Sequence, residues 1–516
     1  MASAQSSVDR FYTPESSRTA TPFAPLAPQE RDEDNIVDFG EGDTDDPRNW
    51  PEWRKWLTVA SLLPAELSTS FASAGLSPAA TSLVNEFGVS RYVGTLGVSI
   101  FVAGFAVGPL FLAPLSEWSG RRGVFLIGQL IHTLFLIGTA LAPNVGGFLV
   151  MRFLAACNIA ITADLWKPTD TAPAQSIFVS ANVIGPALGY ALMSYVASSA
   201  NWRTVSWWLS GISGFALVWM FCLLRETRRS IILEKKCKKE RERTGNEKLE
   251  VPAEARRKGW QTLYEAALVR PFVMEVKEPV VLAFSFITAL YYGIQYLFTA
   301  AFPLVFGENG GREFTVAQIG STFLGQVVGG LLGPPTHLLQ ERAFRKETIA
   351  NGGILVPERR LGMAMAGGVL FPVCLFWFAW TSLPAVHWIA PVMASVVFGW
   401  SFFTLQLMVK EYLTDAYGEY AGSALAAAGF VRCCAGAGFP LFGRQMYLYL
   451  SYPWASSLLG FLALFVVPIP PLLRVYGKKM RMRSPWARES MEKLGELDEK
   501  REGREESGRG GGGEGA

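Results

Sequence analysis

Residues 101–122 read FVAGFAVGPLFLAPLSEWSGRR. The first fifteen carry no charge, amide or hydroxyl side chain. A helix wound from them has no polar side at the 3.6-residue period that a half-solvated helix needs. Lipid is the solvent that suits such a surface. A bilayer's hydrocarbon is ~30 Å thick, and ~20 residues cross it at ~1.5 Å per residue. Within it every backbone polar group must be satisfied inside the chain, so the segment is a helix. Charge then returns abruptly at Glu117, Arg121 and Arg122, which marks the aqueous edge.

Working outward, the same kind of block recurs. Twelve are predicted, starting near Leu57, Val93, Val124, Phe148, Gln175, Thr204, Pro279, Thr315, Leu361, Trp388, Ala421 and Trp454. The fold class is therefore an all-α membrane protein. Residues 1–56, with 12 acidic and 6 basic residues, read as a disordered acidic tail. Residues 57–224 form a first bundle of six spans. Residues 225–278 form a central loop with 15 basic and 10 acidic residues. Residues 279–474 form a second bundle of six, and 475–516 form a second tail ending in a glycine run.

Whole-chain averages hide this layout. Over 516 residues the chain is 50% hydrophobic and 18% charged, with a formal net charge of +3. Soluble domains carry roughly 25% charge. The small net charge argues against a nucleic-acid partner. Basic residues divide unevenly once the N-terminus is placed in the cytosol. The inner flanks then hold 31, and the outer loops hold Arg91, Arg203, Arg312 and Arg444. The positive-inside rule therefore puts both termini in the cytosol. The six cysteines fall in spans or in the central loop, which implies no disulfide framework. No metal-ligand spacing and no Walker lysine motif is present, so neither a metal nor any other cofactor is expected. No nucleophile–base arrangement points to an enzyme.

Particular motifs sharpen the reading. Gly108-Pro109-Leu110 is followed by Ala113-Pro114-Leu115-Ser116-Glu117 and Gly120-Arg121-Arg122. Span five contains Gly185-Pro186-Ala187-Leu188-Gly189. Asn49-Trp50-Pro51 precedes span one, and Asp415-Ala416-Tyr417-Gly418 follows span ten. In this order, over roughly residues 48–477, these motifs resemble the major facilitator superfamily, in the form of the fungal twelve-span drug:proton antiporters. The resemblance implies the major facilitator fold, twelve transmembrane helices in two six-helix bundles. It implies proton-coupled efflux of small amphipathic molecules by alternating access, from a multi-pass protein of the plasma membrane. The expected partners are a small-molecule substrate, protons and the lipid bilayer, with the chain a monomer. A proton-coupled importer or polyamine carrier on the same fold is the alternative.

Gly108, Glu117, Gly120, Arg121 and Arg122 match the family's gating loop, and Gly185, Pro186 and Gly189 its antiporter motif. Asp164 and Asp415 close spans four and ten and are expected in a cytosolic charge network. An ionisable group at bilayer depth is costly and is a functional candidate by default. Glu66 is the mid-membrane carboxylate of the first half. Arg152, in Arg152-Phe153-Leu154, matches a family arginine. Both are proton-coupling candidates, and snorkelling to the interface is the alternative for Arg152. Gln129, Asn182, Tyr292, Tyr296, Gln326, Gln406 and Arg432 are polar or amphipathic groups in apolar spans, and are candidates to line a cavity.

Span four is short. Phe148 to Ala163 is 16 residues, and against the resemblance it lacks roughly eight residues, or about two helical turns. Two readings stay open, a gene-model error and a truly shortened helix that leaves transport in doubt. Sequencing the transcript across Arg152–Asp164 decides between them. A message encoding about two further helical turns restores a full span, and one encoding only these residues establishes the short helix.

Overall fold

The computed structural model of the protein describes residues 36–40, 42–157, 172–252, 264–265, 267–307, 310–350 and 357–490. The main helices are α1 (Glu52–Ala74), α2 (Arg91–Ser119), α3 (Arg121–Leu141), α4 (Val145–Ala156), α5 (Ala172–Ser199) and α6 (Trp202–Leu223). A second set follows: α7 (Pro279–Phe306), α8 (Val316–Lys346), α9 (Gly362–Thr381), α10 (Ile389–Tyr417), α11 (Ala421–Leu450) and α12 (Tyr452–Arg483). Among the described residues ten of these are long and apolar enough to cross a membrane. The exceptions are α1 and α4.

The exposed and buried sides carry inverted chemistry. On α6, Trp207, Trp208, Phe215, Val218 and Phe221 are exposed, whereas Ser206, Ser210 and Ser213 are buried. Large apolar side chains outside and hydroxyls inside are the arrangement that lipid selects. The same logic explains α1. Its 23 residues include Thr58, Ser61, Ser68, Thr69, Ser70 and Ser73, all buried, together with half-buried Glu66. It is long enough to span but polar, because its neighbours cover it.

α4 is short. It has 12 residues, about 18 Å of helix, and its regular backbone stops before Cys157. Asp164 and the rest of the questioned segment lie outside the described residues.

Glycines set how closely the helices approach. A Cβ on Gly185 of α5 would lie 2.2 Å from the Ser70 Cβ of α1, and one on Gly189 would lie 2.6 Å from the Phe71 Cα. The two bundles meet along α5 and α8, where Ser180 Oγ donates to the Gly330 carbonyl at 2.9 Å. Tyr195 and Ser321 hydroxyls lie 2.8 Å apart farther along the same contact. Tyr190 stacks on Phe323 with ring centroids 4.1 Å apart.

Parts of both tails are ordered, contrary to the expectation of disorder throughout. The helix Arg229–Thr244 of the central loop receives the N-terminal segment. Lys236 pairs with Asp43, and Arg229 with Asp46 at 3.0 Å. Lys236 holds the Asp43 carboxyl below its ordinary range through that hydrogen bond. After α12, Trp486 and Ala487 are buried, and Ser484 Oγ donates to Glu278 at 2.8 Å. Burial pushes the Glu278 carboxyl up, opposed by its bonds from Ser484 and Tyr417.

Overpacking a tight contact costs about 1–3 kcal/mol. Gly185→Val should therefore lower the melting temperature of the purified protein in detergent. Gly211→Ala, where a Cβ meets nothing within 4 Å, should leave it equal or raise it. Equal melting of Gly185→Val and the parent chain would show that α1 and α5 do not pack this closely.

Candidate functional site

α5 carries Asn182 one helical turn before Gly185, and α1 carries Glu66 one turn before Ser70. The glycine contact therefore brings these two polar groups together. Asn182 Nδ2 donates to Glu66 Oε1 at 3.4 Å. Gln406 Nε2 of α10, in the other bundle, donates to Asn182 Oδ1 at 3.0 Å. A carboxylate, an amide and a second amide thus form one chain across the interface between the bundles.

Two cations complete the group. Lys410 of α10 and Arg432 of α11 both lie within electrostatic range of Glu66. The Arg432 guanidinium sits 4.6 Å from the centre of the Tyr292 ring. Tyr292 is edge-on to Tyr296 at 5.0 Å, and Tyr296 donates to Ser73 Oγ of α1 at 3.0 Å. Glu66, Asn182, Lys410 and Arg432 are each half-buried, on four different helices. The Glu66–Asn182–Gln406 chain lies at the seam between the bundles.

Sequence reading missed Lys410, counting it with the positive inner flank. The signal was present: Lys410 follows Gln406 by four residues, so the two share a helix face.

Arg152 does not snorkel. It is 1% exposed. Its Nε donates to the Gly97 carbonyl at 3.1 Å, and its terminal nitrogens to Ala72 at 2.9 Å and Ser73 at 3.4 Å. Its guanidinium also lies 4.2 Å from the Phe101 ring centre. One side chain of α4 therefore ties α1 to α2.

Two other cavity candidates are used inside single bundles. Gln129 is buried and donates to Ser68 Oγ at 3.2 Å and Ser213 Oγ at 3.0 Å. Gln326 is buried and bonded to Gln295. Neither bonds across to the other bundle in these contacts.

In the loop after α2, Gly120 has φ +99°, and a Cβ there would meet Glu226 Oε2 at 2.9 Å. A glycine permits both the turn and the close approach. Glu226, from the end of α6, accepts the Arg121 and Arg122 backbone N–H groups at 3.1 and 3.2 Å, which caps α3. These bonds stay within the first bundle. Gly108 is buried in α2 beside Pro109. The Glu117 side chain lies outside the described residues.

Asp415 belongs to a charge network at the central-loop end of the second bundle. Buried Arg360 lies 3.2 Å from Glu341, 3.2 Å from Glu411 and 2.8 Å from Asp415. His337 lies 3.2 Å from Glu411. Ligand atoms of His337, Glu341 and Glu411 fall within 4.8 Å of one another, a spacing open to a divalent cation. The Arg360 guanidinium already occupies the space facing both carboxylates.

Comparison with known proteins fits this architecture. A family model described as Major Facilitator Superfamily matches residues 62–440. The chain belongs to the major facilitator superfamily. It is 35% identical over 467 residues to the efflux pump FUBT of Fusarium oxysporum, covering 88% of this chain and 78% of that protein. It is 35% identical to the MFS-type efflux pump MFS2 of Trichophyton rubrum, over 89% of this chain and 79% of that one. It is 34% identical to the multidrug transporter mdrA of Aspergillus fumigatus, over 88% and 77%. Among solved structures it matches the human organic anion transporter MFSD10 with a TM-score of 0.55 and 16% identity, covering 81% of this chain and all of that one. That likeness shows the fold. The protein is a multi-pass membrane transporter of small molecules.

Removing the Arg152 side chain leaves the Ala72 and Ser73 carbonyls at the end of α1 without this donor, at about 1–3 kcal/mol each when buried. Arg152→Leu should melt well below the parent chain in a detergent thermal-stability assay, and Arg152→Lys should fall between the two. Parent-like melting of Arg152→Leu would show that the arginine does not clamp α1 to α2.

Proposed function

We propose that this transporter exports small amphipathic molecules in exchange for protons, across the plasma membrane of a fungal cell. It works by alternating access as a monomer, with both termini in the cytosol. The observation that carries the reading is the Glu66–Asn182–Gln406 chain. Glu66 is an acid at the seam between the bundles, and its acceptor oxygen orients an amide that bonds to the opposite bundle. Taking up a proton removes charge from that acceptor and weakens its hold on Asn182. The bond from Asn182 to Gln406 then re-forms in another geometry or breaks. Proton binding and the packing of the bundles are joined through two hydrogen bonds. Arg152 acts as the fixed point, since it holds the Ala72 and Ser73 carbonyls two turns along the same helix as Glu66.

Relatives named as efflux pumps and multidrug transporters support the outward direction. The fourth helix bears on whether this chain completes the cycle. Arg152 sits in the described part of α4 and keeps its three carbonyl bonds, so the clamp forms with the helix as it stands.

The reading is tested by expression in pump-deficient yeast loaded with a panel of toxic amphipathic dyes. Retained dye should fall when the transporter is present and rise again with a protonophore. Glu66→Gln should abolish the dependence of efflux on the proton gradient. Unchanged retention across the panel would count against efflux, and undiminished gradient-dependent efflux in Glu66→Gln would remove Glu66 as the carrier.

A further inference from the structure

The last helix is longer than a bilayer needs. α12 has 32 residues, Tyr452–Arg483, or about 48 Å of helix against ~30 Å of hydrocarbon. Its regular winding is interrupted once. The Val466 N–H donates to the Ala463 carbonyl at 3.0 Å and the Ile469 N–H to the Val466 carbonyl at 3.1 Å, a three-residue spacing that tightens the turn. Pro468, Pro470 and Pro471 cluster here and have no N–H to give. Regular helix then resumes over Ile469–Arg483.

This last part has two unlike sides. Pro470, Leu473, Gly477 and Arg481 are buried at helical spacing. Arg481 Nη2 lies 2.6 Å from Glu358 Oε1, and a Cβ on Gly477 would meet the Tyr412 hydroxyl at 2.7 Å. These contacts pin the helix to the second bundle and fix which side turns away. On that side Leu472, Val475, Tyr476 and Met482 are exposed, Val475 by 71% and Tyr476 by 53%. Arg474, Lys478, Lys479 and Arg483 are exposed among them. Arg481 has its acid, but among the described residues no carboxylate lies within ion-pair distance of these other four cations.

Water suits the four cations and not the apolar groups, and hydrocarbon suits the reverse. The headgroup layer suits both, because apolar side chains enter the acyl boundary while long basic stems reach the phosphates. Leu472, Val475 and Tyr476 come first along the helix, and Lys478, Lys479 and Arg483 follow. That order matches the passage from acyl chain to headgroup. A zwitterionic lipid brings no net charge to cations that the protein leaves unmatched, whereas an anionic one does.

We propose that the outward side of Ile469–Arg483 binds anionic phospholipid, with the headgroup held by Lys478, Lys479 and Arg483 and the acyl chains against Val475 and Tyr476. Assignment of that lipid to the cytosolic leaflet rests on the topology proposed above; recognition of the lipid does not.

The test is native mass spectrometry of the purified full-length chain in neutral detergent, with equimolar dioleoylphosphatidylserine and dioleoylphosphatidylcholine. Phosphatidylserine adducts should predominate by roughly tenfold or more, at about fivefold per cation near the headgroup. Joint replacement Lys478→Gln and Lys479→Gln should lose most of that preference, and Lys478→Arg with Lys479→Arg should keep it. Both variants should melt like the parent chain without lipid, since these side chains meet no acid in the protein. Lys238→Gln with Lys239→Gln removes the same charge from exposed positions of the helix Arg229–Thr244 and should leave the preference nearly intact. The inference falls if the two lipids bind equally, or if the two Gln pairs lose the preference equally. It falls if inorganic phosphate at the lipid's concentration displaces the lipid, which would make the ligand a free anion. It falls also if the preference emerges only after deletion of residues 491–516, which would give this side of the helix to the chain's own tail. A C-terminal tag probed in intact yeast tests the topology separately. An exterior tag with the lipid preference retained overturns the cytosolic placement and leaves the lipid site standing. A cytosolic tag with no lipid preference overturns the site and leaves the topology standing.

Discussion

The contact between α5 and α1 at Gly185 and Gly189 fixes the register on which the centre of the protein depends. With backbone against side chain at Ser70 and backbone against backbone at Phe71, the two helices cannot slide past each other. One turn toward the central-loop end, that register sets Asn182 beside Glu66. Two residues beyond Phe71, it presents Ser73 to Tyr296 of the other bundle and to Arg152 of α4. A side chain at either glycine would push α5 away from α1 and separate these groups together. The glycine motif therefore acts through packing, and its consequence for chemistry is the placement of a carboxylate.

Much of the fold is legible in the sequence because lipid imposes a simple rule on outward-facing residues. Segments such as 101–115 and 457–473 announce themselves by having no polar side. α1 shows where the rule weakens. It carries six hydroxyl residues and Glu66, and its hydropathy falls short because its surroundings are protein. Its span stood out as an apolar block starting near Leu57, just after Asn49-Trp50-Pro51. The ordered parts of the tails were not legible. Asp43 and Asp46 look like solvated acids until the helix Arg229–Thr244 brings basic residues to them from nearly two hundred positions away.

The site was legible in its members and not in their pairing. Glu66, Asn182, Gln406 and Arg432 each stood out as polar groups in apolar spans, but nothing local in sequence distinguishes them from Gln129. Gln129 has the same character and is consumed by Ser68 and Ser213 within one bundle. Helix rotation decides which polar group meets the other bundle and which meets a neighbour in its own, and rotation is set by the glycine contacts. Lys410 was hidden for a different reason. A lysine near the end of a span serves equally well as a topological anchor, and its long stem reaches either the aqueous edge or the interior.

The contrast between the two charged centres is the more informative comparison. At the central-loop end, Arg360 is shared by the carboxylates Glu341, Glu411 and Asp415, all within ion-pair distance of it. Such a set ties α8, α10 and the turn before α9 together. At the middle, Glu66 is held by Asn182, and Gln406 joins that pair to the second bundle. The same helix, α10, supplies Glu411 to the first centre and Gln406 to the second. Any rotation of α10 that moves Gln406 also moves Glu411 against Arg360. The ion-pair network is therefore a restraint on the polar chain at the middle, through the helix they share.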